Sequence, residues 1–256
     1  MQAEVWLLEL DETPGAAFAA GLDTTVLDAR ERERAAAFVR PVDRTLYTAA
    51  HVALRTVLGG LLGERPEDLA FTREPCPCCG AAHGRPALAV PGGDPSVPPP
   101  LHFSLSHTRG MVLIATAPVP VGADVELRPA PETVADLLSV LHPRERADIE
   151  AEEEPGRRAA AFGRIWARKE AYLKGLGTGL GRATTLDDLG GDGDGDQAGA
   201  GEHGRRPEGW TLYDLPCGPA HHAAVALRSE RTTTRRPLLH HLAPETLRGG
   251  AAPSRA

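Results

Sequence analysis

The chain has 256 residues, enough for one large domain or two modest ones with ample core. Apolar residues make up 41% and charged residues 25%, a soluble globular composition, and the formal net charge of -7 argues against a nucleic-acid backbone binder. The opening MQAEVWLLEL has no basic stretch before its apolar run, and no run approaches the length of a membrane span. The expectation is a cytoplasmic protein that does not engage a membrane. Three of the four Cys lie between 76 and 79, which is no disulfide framework and fits a reducing compartment.

Taken in order, Val5–Leu10 reads as a first strand. Residues 28–40, DARERERAAAFVR, form a charged-then-apolar predicted helix that Pro41 ends. Asp43 then caps a second predicted helix, Arg44–Leu58, with Leu46, Ala50 and Leu54 on its buried side and Gly59 and Gly60 loosening its end. Arg32, Arg34, Arg40 and Arg44 make a basic island in an acidic chain. A solvated face accounts for most of it, but Arg44, in the first turn of a helix, is a candidate anion contact.

Residues 69–73 predict a short strand. Cys76-Pro-Cys-Cys79-Gly-Ala-Ala-His83 follows, with the ligand spacing of a metal-binding cysteine pair and a histidine four residues on. Zinc needs four ligands, and the remaining thiols are Cys78 and distant Cys217. No second such pair exists, so free thiols on an exposed loop are the favoured reading and zinc is left open. Residues 91–100, PGGDPSVPPP, are a non-helical connector.

Leu101–Ser106 and Met111–Ala117 predict a hairpin turned at residues 107–110, with the almost wholly apolar second strand central. His107 begins that turn, preceded by the small polar Ser104 and Ser106. After Pro118 and Pro120, period two places Asp124 and Glu126 on one face of the strand Val121–Leu127. Two carboxylates projecting together repel unless they are solvated or hold a cation, and hard oxygen donors suit Mg²⁺ rather than zinc. Residues 131–140 and 143–150 predict helices, and Glu150–Glu154 a solvated acidic loop.

The next helix reads FGRIWARKEAYLKGLG over Phe162–Gly177. Phe162, Trp166, Glu170 and Lys174 recur every four residues and share one face, so a carboxylate and an amine line up below two aromatics. Alone, Glu before Lys at this spacing is a common surface pair; in line with Trp166 it suggests a helix bordering a cleft. Residues 183–188 predict a strand, 189–209 a flexible Gly/Asp/Ala-rich insertion, Trp210–Leu215 with Ala223–Leu227 a closing hairpin, and the basic tail after Glu230 a partly frayed end. Each half then has a long helix followed by a hairpin. The expected architecture is α+β, with two similar subdomains over 1–118 and 119–256.

No phosphate-binding glycine loop of the P-loop or dinucleotide type is present. The chain instead resembles the 4'-phosphopantetheinyl transferases, of the larger pseudodimeric type that resembles the surfactin-synthetase activator. Gly122-Ala-Asp124-Val-Glu126 matches that family's G-x-D-x-E, and Trp166-Ala-Arg-Lys169-Glu170-Ala-Tyr-Leu-Lys174 its W-x-x-K-E-x-x-x-K. Phe103-Ser-Leu-Ser106-His107-Thr and Gly84-Arg85-Pro86 fit two further motifs, with Ser104 where the family often has Asn. The resemblance implies the family's fold, two subdomains about a pseudo-twofold axis. It implies a monomeric Mg²⁺-dependent enzyme, with Mn²⁺ as a substitute. The reaction transfers 4'-phosphopantetheine from coenzyme A to a serine of an apo acyl or peptidyl carrier protein, releasing adenosine 3',5'-bisphosphate. Asp124, Glu126 and Glu170 would bind metal, and His107 and Arg44 the 3'-phosphate, with Arg85 near the nucleotide. Lys174 would contact the phosphates and Glu170 act as base; Lys169, turned about 100° from Glu170, is assigned no firm role.

Overall fold

The computed structural model describes residues 2–89, 99, 101–191, 207–229 and 235–248. The fold is α+β, and among the described residues no helix is long and apolar enough to cross a membrane. In chain order come β1 (Glu4–Glu9), α1 (Ala16–Gly21), α2 (Ala29–Ala36), α3 (Pro41–Leu62), β2 (Phe71–Arg73), β3 (Pro86–Leu88), β4 (His102–Thr108) and β5 (Met111–Ala117). Then follow β6 (Val121–Leu127), α4 (Pro131–Leu137), α5 (Pro143–Glu150), α6 (Pro155–Leu176), β7 (Trp210–Leu215), β8 (His221–Arg228) and β9 (Leu238–Leu242).

Two sheets form the centre, one ordered β4-β5-β1-β9 and the other β6-β8-β7. Strand alternation sorts the side chains into layers. Val5 and Leu7 of β1, Leu113 and Ala115 of β5, and Val121, Ala123 and Val125 of β6 pack with Tyr213 and Val225 between the sheets. The opposite faces of β1 and β5, with Trp6, Leu8, Val112 and Ile114, pack on Ala49, Ala53 and Leu58 of α3. On the other side Ala224, Ala226 and Leu212 pack on Ala167, Ala171 and Tyr172 of α6. The order is therefore helix, sheet, sheet, helix. Val134, Leu141 and Ile149 cover the start of α6 against Phe162 and Ile165.

Several elements differ from the sequence expectation. Pro41 does not end a helix but opens α3, at the first helical position, where its missing N–H has no partner to lose. Gly59 and Gly60 lie inside α3, which stops at Gly63 in the left-handed conformation (φ 71°). Gly59 is needed there for approach, since a Cβ would lie 2.8 Å from the Glu64 carbonyl oxygen. The acidic loop supplies the cap of α6, the Glu154 carboxylate accepting the Gly156 and Arg157 N–H groups at 2.8 and 2.6 Å. β4 runs through His107, so the turn is tighter than expected. Residues 183–188 form turns rather than a strand, because the Thr184 and Asp187 carbonyls accept from the Lys169 ammonium at 2.7 and 2.6 Å. The tail returns as β9, parallel to β1, with His240 stacked on Trp6 at 5.1 Å. Of the expected insertion, residues 192–206 lie outside the described residues, as do 91–98 and 100 of the connector.

Helix α6 meets its sheet unusually closely at three glycines. A Cβ on Gly122 would lie 2.0 Å from the Ala171 carbonyl oxygen and 2.2 Å from the Gly175 nitrogen. Cβ atoms on Gly175 and Gly163 would meet the Trp210 ring at 2.5 Å and the His222 ring at 2.4 Å. At Gly122 the obstacle is backbone and cannot rotate away. Gly122→Ala is therefore expected to lower stability by about 1–3 kcal/mol, as overpacking of a tight core does, read as a fall in the urea midpoint with unchanged m-value.

Candidate active site

The contact of β6 with α6 places four ionisable groups in one neighbourhood. The face of β6 opposite the inter-sheet core carries Gly122, Asp124 and Glu126. On α6, Phe162 and Trp166 stack with ring centroids 6.3 Å apart, and Glu170 and Lys174 occupy the next two turns of the same face. Asp124 is only 2% exposed. Its Oδ1 accepts the Lys174 ammonium at 2.5 Å and the Ser106 hydroxyl at 2.8 Å, and Lys174 also donates to Ser106 Oγ at 2.9 Å. Two residues earlier on β4, Ser104 Oγ accepts the Ala123 N–H at 3.0 Å. The two serines thus join β4 to β6 with polar contacts, and the small residue at 104 suffices for that joint.

Asp124 Oδ2 is buried and has no hydrogen-bond partner among the described residues. Burial, then the charge of Asp124, pushes the Glu126 carboxyl up to about 7; the ammonium of Lys174 and a hydrogen bond from the Trp166 indole oppose that rise, and Glu170 adds to it. Burial and then Asp124 also raise Glu170, against the pull of Lys174. Orphaned or destabilised carboxylate oxygens with nothing softer beside them are the donor set of a hard divalent cation, and Asp124, Glu126 and Glu170 fit Mg²⁺ on that ground. The three do not bring one oxygen each within 4.8 Å of one another, in keeping with the mutual repulsion of carboxylates that share a single lysine as their cation.

The remaining predicted residues fall in three places. His107, half-buried near the end of β4, meets the Tyr47 ring edge-on at 6.4 Å. Burial lowers its imidazole to about 4, helped by His51 and Lys174, so it is neutral near pH 7. Arg44 is exposed on α3, one turn before Tyr47, with its guanidinium on the Phe38 carbonyl at 3.0 Å. Arg85 is already engaged: it pairs with Glu74 and donates to the Gly175 carbonyl of α6 at 2.7 Å.

Lys169 lies away from the cluster. It is buried beneath α6, where its ammonium pairs with Glu145 at 2.8 Å and donates to the Thr184 and Asp187 carbonyls. The sequence assigns it no firm role, and the structure makes it a buried partner of Glu145. Tyr47 and His51, stacked at 4.1 Å, were not singled out, because their aromatic identity on a helix reads as packing. The Trp166 contact with Glu126 was hidden for the same reason.

The chain is similar in sequence to known proteins over the part that carries this cluster. Residues 120–226, which include Asp124, Glu126, Glu170 and Lys174, match the model of the 4'-phosphopantetheinyl transferase superfamily. The chain is 31% identical over 163 residues to the 4'-phosphopantetheinyl transferase HetI of Nostoc sp., covering 63% of this chain and 64% of that one. It is 28% identical over 154 residues to a 4'-phosphopantetheinyl transferase of Bacillus subtilis, covering 60% and 62%. Over 90 residues it is 38% identical to the 4'-phosphopantetheinyl transferase AcpT of Salmonella typhi, covering 34% and 46%. The matches thus span less than two thirds of the length of these relatives.

Two variants separate the roles. Lys169→Ala leaves Glu145, which is fully buried, without its cation. A loss of about 3–5 kcal/mol is expected from such a half-broken pair, seen in chemical denaturation. Glu126 behaves oppositely. With a folded value near 7 against the usual 4.5, its unfolded form releases the proton first as pH rises. Stability of metal-free protein therefore falls from about pH 4.5 to about 7 through this group. Glu126→Gln should remove that slope and raise the melting temperature of metal-free protein at pH 8 by about 2–4 °C, for roughly 1 kcal/mol after allowance for partial exposure.

Proposed function

We propose that the chain is a 4'-phosphopantetheinyl transferase, taking coenzyme A and an apo acyl or peptidyl carrier protein as substrates. The observation that carries this reading is the cluster in which the Lys174 ammonium pairs with buried Asp124 and lies in the field of the half-buried Glu126 and Glu170, inside the segment that matches the superfamily. Asp124, Glu126 and Glu170 would hold Mg²⁺. Bound there, Mg²⁺ would supply the positive charge that draws diphosphate oxygens of coenzyme A into the site.

The chain's own residues then divide the work. Glu170 takes the proton of the carrier serine hydroxyl, directly or through one water; its raised basicity makes it a better base than an exposed carboxylate. The serine oxygen forms a bond to the β-phosphorus as the bond to the bridging oxygen breaks, and adenosine 3',5'-bisphosphate leaves. The Lys174 ammonium faces the charge that gathers on that leaving oxygen. His107 and Arg44, on the side of the cluster that α3 approaches, are the contacts for the 3'-phosphate. The anion would favour the imidazolium of His107 and so repay its desolvation. Arg85, just before β3, would border the nucleotide. A cleft of about 890 Å³ lined by His51, Phe71, Pro86, Phe103 and Leu105 adjoins this region and has room for the nucleoside.

The enzyme is read as a cytoplasmic monomer of two α+β halves, 1–118 and 119–256, about an approximate twofold. What supports the duplication is a shared plan. In each half a 22-residue helix begins with proline and ends at a left-handed glycine, Gly63 or Gly177. In each the first strand pairs with the last strand of the closing hairpin, β1 with β5 and β6 with β8.

The test is incubation with coenzyme A, Mg²⁺ and an apo carrier protein, read by mass spectrometry of the intact carrier. Addition of one phosphopantetheine arm is expected, together with release of adenosine 3',5'-bisphosphate. Glu170→Gln should lower kcat by about 10²–10⁴, the usual worth of a positioned base. Asp124→Ala should abolish stimulation by Mg²⁺. A carrier of unchanged mass while small phosphorylated molecules turn over would mark a different phosphotransferase. Full activity with every divalent ion removed would overturn the site.

A further inference from the structure

The segment 74–85 joins β2 to β3 and folds over the C-terminal end of α6. Its backbone is closed on itself. The Cys76 N–H donates to the Ala81 carbonyl at 2.8 Å, the Gly80 N–H to the Cys76 carbonyl at 2.8 Å and the His83 N–H to the Ala81 carbonyl at 2.8 Å. Gly80 takes φ +73°, which a side chain would disfavour, and a Cβ on Gly84 would lie 2.5 Å from the Glu74 carbonyl oxygen. This framework brings one ligating atom each of Cys76, Cys79 and His83 within 4.8 Å of one another. Cys79 Sγ and His83 Nε2 are 3.0 Å apart. Among the described residues it is the one group of three or more His, Cys, Asp or Glu drawn together so closely. Cys78 hydrogen-bonds through its side chain to Cys76, so a fourth soft donor is at hand. Cys217 is excluded as a ligand, since it is buried in the inter-sheet core with Tyr213 and Leu215.

The geometry points to a zinc site formed by Cys76, Cys79 and His83, with Cys78 as the fourth ligand, in a loop separate from the Asp124 cluster. Tetrahedral zinc bonds of about 2.3 Å to sulfur and 2.0 Å to nitrogen hold neighbouring donors roughly 3.5–3.8 Å apart. Cys79 Sγ and His83 Nε2 would move apart by less than an ångström to reach it, and the Cys78 thiol, which lies outside the 4.8 Å group, would turn in from its contact with Cys76. Thiolates and imidazole select zinc, whereas the carboxylate oxygens at Asp124 select a hard cation, so the two sites do not compete for one metal. With all four positions filled by protein, the site is structural.

Its effect would pass to α6 through named contacts. Arg85, two residues after His83, donates to the Gly175 carbonyl at 2.7 Å and is held by Glu74 from the other side of the loop. A Cβ on Gly177, the end of α6, would lie 3.0 Å from Arg85 Cγ. Cys78 lies against the turn at Gly181, 4.0 Å from where a Cβ there would stand. Closing the loop on a metal fixes the guanidinium that holds the last turn of the helix carrying Lys174.

The experiment uses full-length protein carrying a histidine-free tag, purified without chelator. Elemental analysis should find about one zinc per chain, lost in Cys79→Ser and in His83→Ala but kept in Cys217→Ser. Cobalt exchange should give thiolate-to-metal charge-transfer and tetrahedral d–d bands, with weaker charge transfer in Cys78→Ser. A zinc-selective chelator should lower the melting temperature of the wild type and leave that of Cys79→Ser unchanged. Protein without zinc above background, and without a cobalt spectrum when cobalt is added to the reduced thiols, overturns the site. An unaltered charge-transfer band in Cys78→Ser overturns the fourth ligand.

Discussion

A buried carboxylate bound to one ammonium holds this molecule together at its centre. Asp124 is almost fully enclosed, and a charge so placed costs several kcal/mol unless it is paired and hydrogen-bonded. Its partners come from two other elements, Lys174 from α6 and Ser106 from β4. The first sheet, the second sheet and the long helix therefore meet at one oxygen atom. Each of these elements has its own apolar packing, but that packing sets only distances between layers; the ion pair sets the register of α6 along β6. Burial, and then the same charge, raise Glu126 and Glu170, so the group that organises the fold also helps make its neighbours chemically unusual.

The helix is held as firmly from behind as from the front. Arg168 makes a two-pronged contact with Asp214, at 2.6 Å on each oxygen, and Lys169 closes on Glu145. Glu145 in turn accepts the N–H groups of His142 and Leu189, so all of its burial is compensated. Adjacent positions of one helix thus serve different ends: Arg168 and Lys169 index the helix against its surroundings, and Glu170 faces the cluster. Glycine at 122, 163 and 175 removes the side chains that would lift the helix off the sheet. Such rigidity suits the proposed reaction, in which these groups would meet phosphates with small tolerance.

Local periodicity made the front of the site legible. A spacing of four aligns Trp166, Glu170 and Lys174 on any helix, and alternation puts Asp124 and Glu126 together on any strand. What periodicity cannot carry is partnership across the chain. Lys169 looks like an ordinary cationic helix position until Glu145 and two carbonyls from 184–187 are brought under it. Those carbonyls also explain why the apparent strand at 183–188 is absent. Pro41 reads as a stop in the sequence and is a start in the structure, since a proline between two helical patterns can end one or begin the next, and only the tertiary path decides. The tail strand β9 was hidden because its His-rich composition has no alternation of its own; it forms because β1 offers a free edge and Trp6 a ring to stack on.

The carboxylate cluster and the cysteine loop differ in the hardness of their donors, and that contrast follows from where each set of residues sits. Asp124 and Glu126 lie on a strand buried against a helix, where thiolates would find no stabilising N–H groups but a lysine and a cation can answer oxygen. Cys76, Cys79 and His83 lie on a loop whose backbone hydrogen bonds are made internally, leaving the side chains free to turn toward one point. Arg85 spans the distance between them. Its carboxylate partner Glu74 belongs to the loop and its carbonyl partner Gly175 to the helix, so motion of the loop pulls on the turn that carries Lys174. The last turn of α6 has carbonyls without helical partners, and a cation there is favoured by the helix dipole as well as by hydrogen bonding. Arg85 is therefore best understood as a brace with one arm on the ammonium-bearing helix, and whatever orders the loop orders the position from which Lys174 meets its partners.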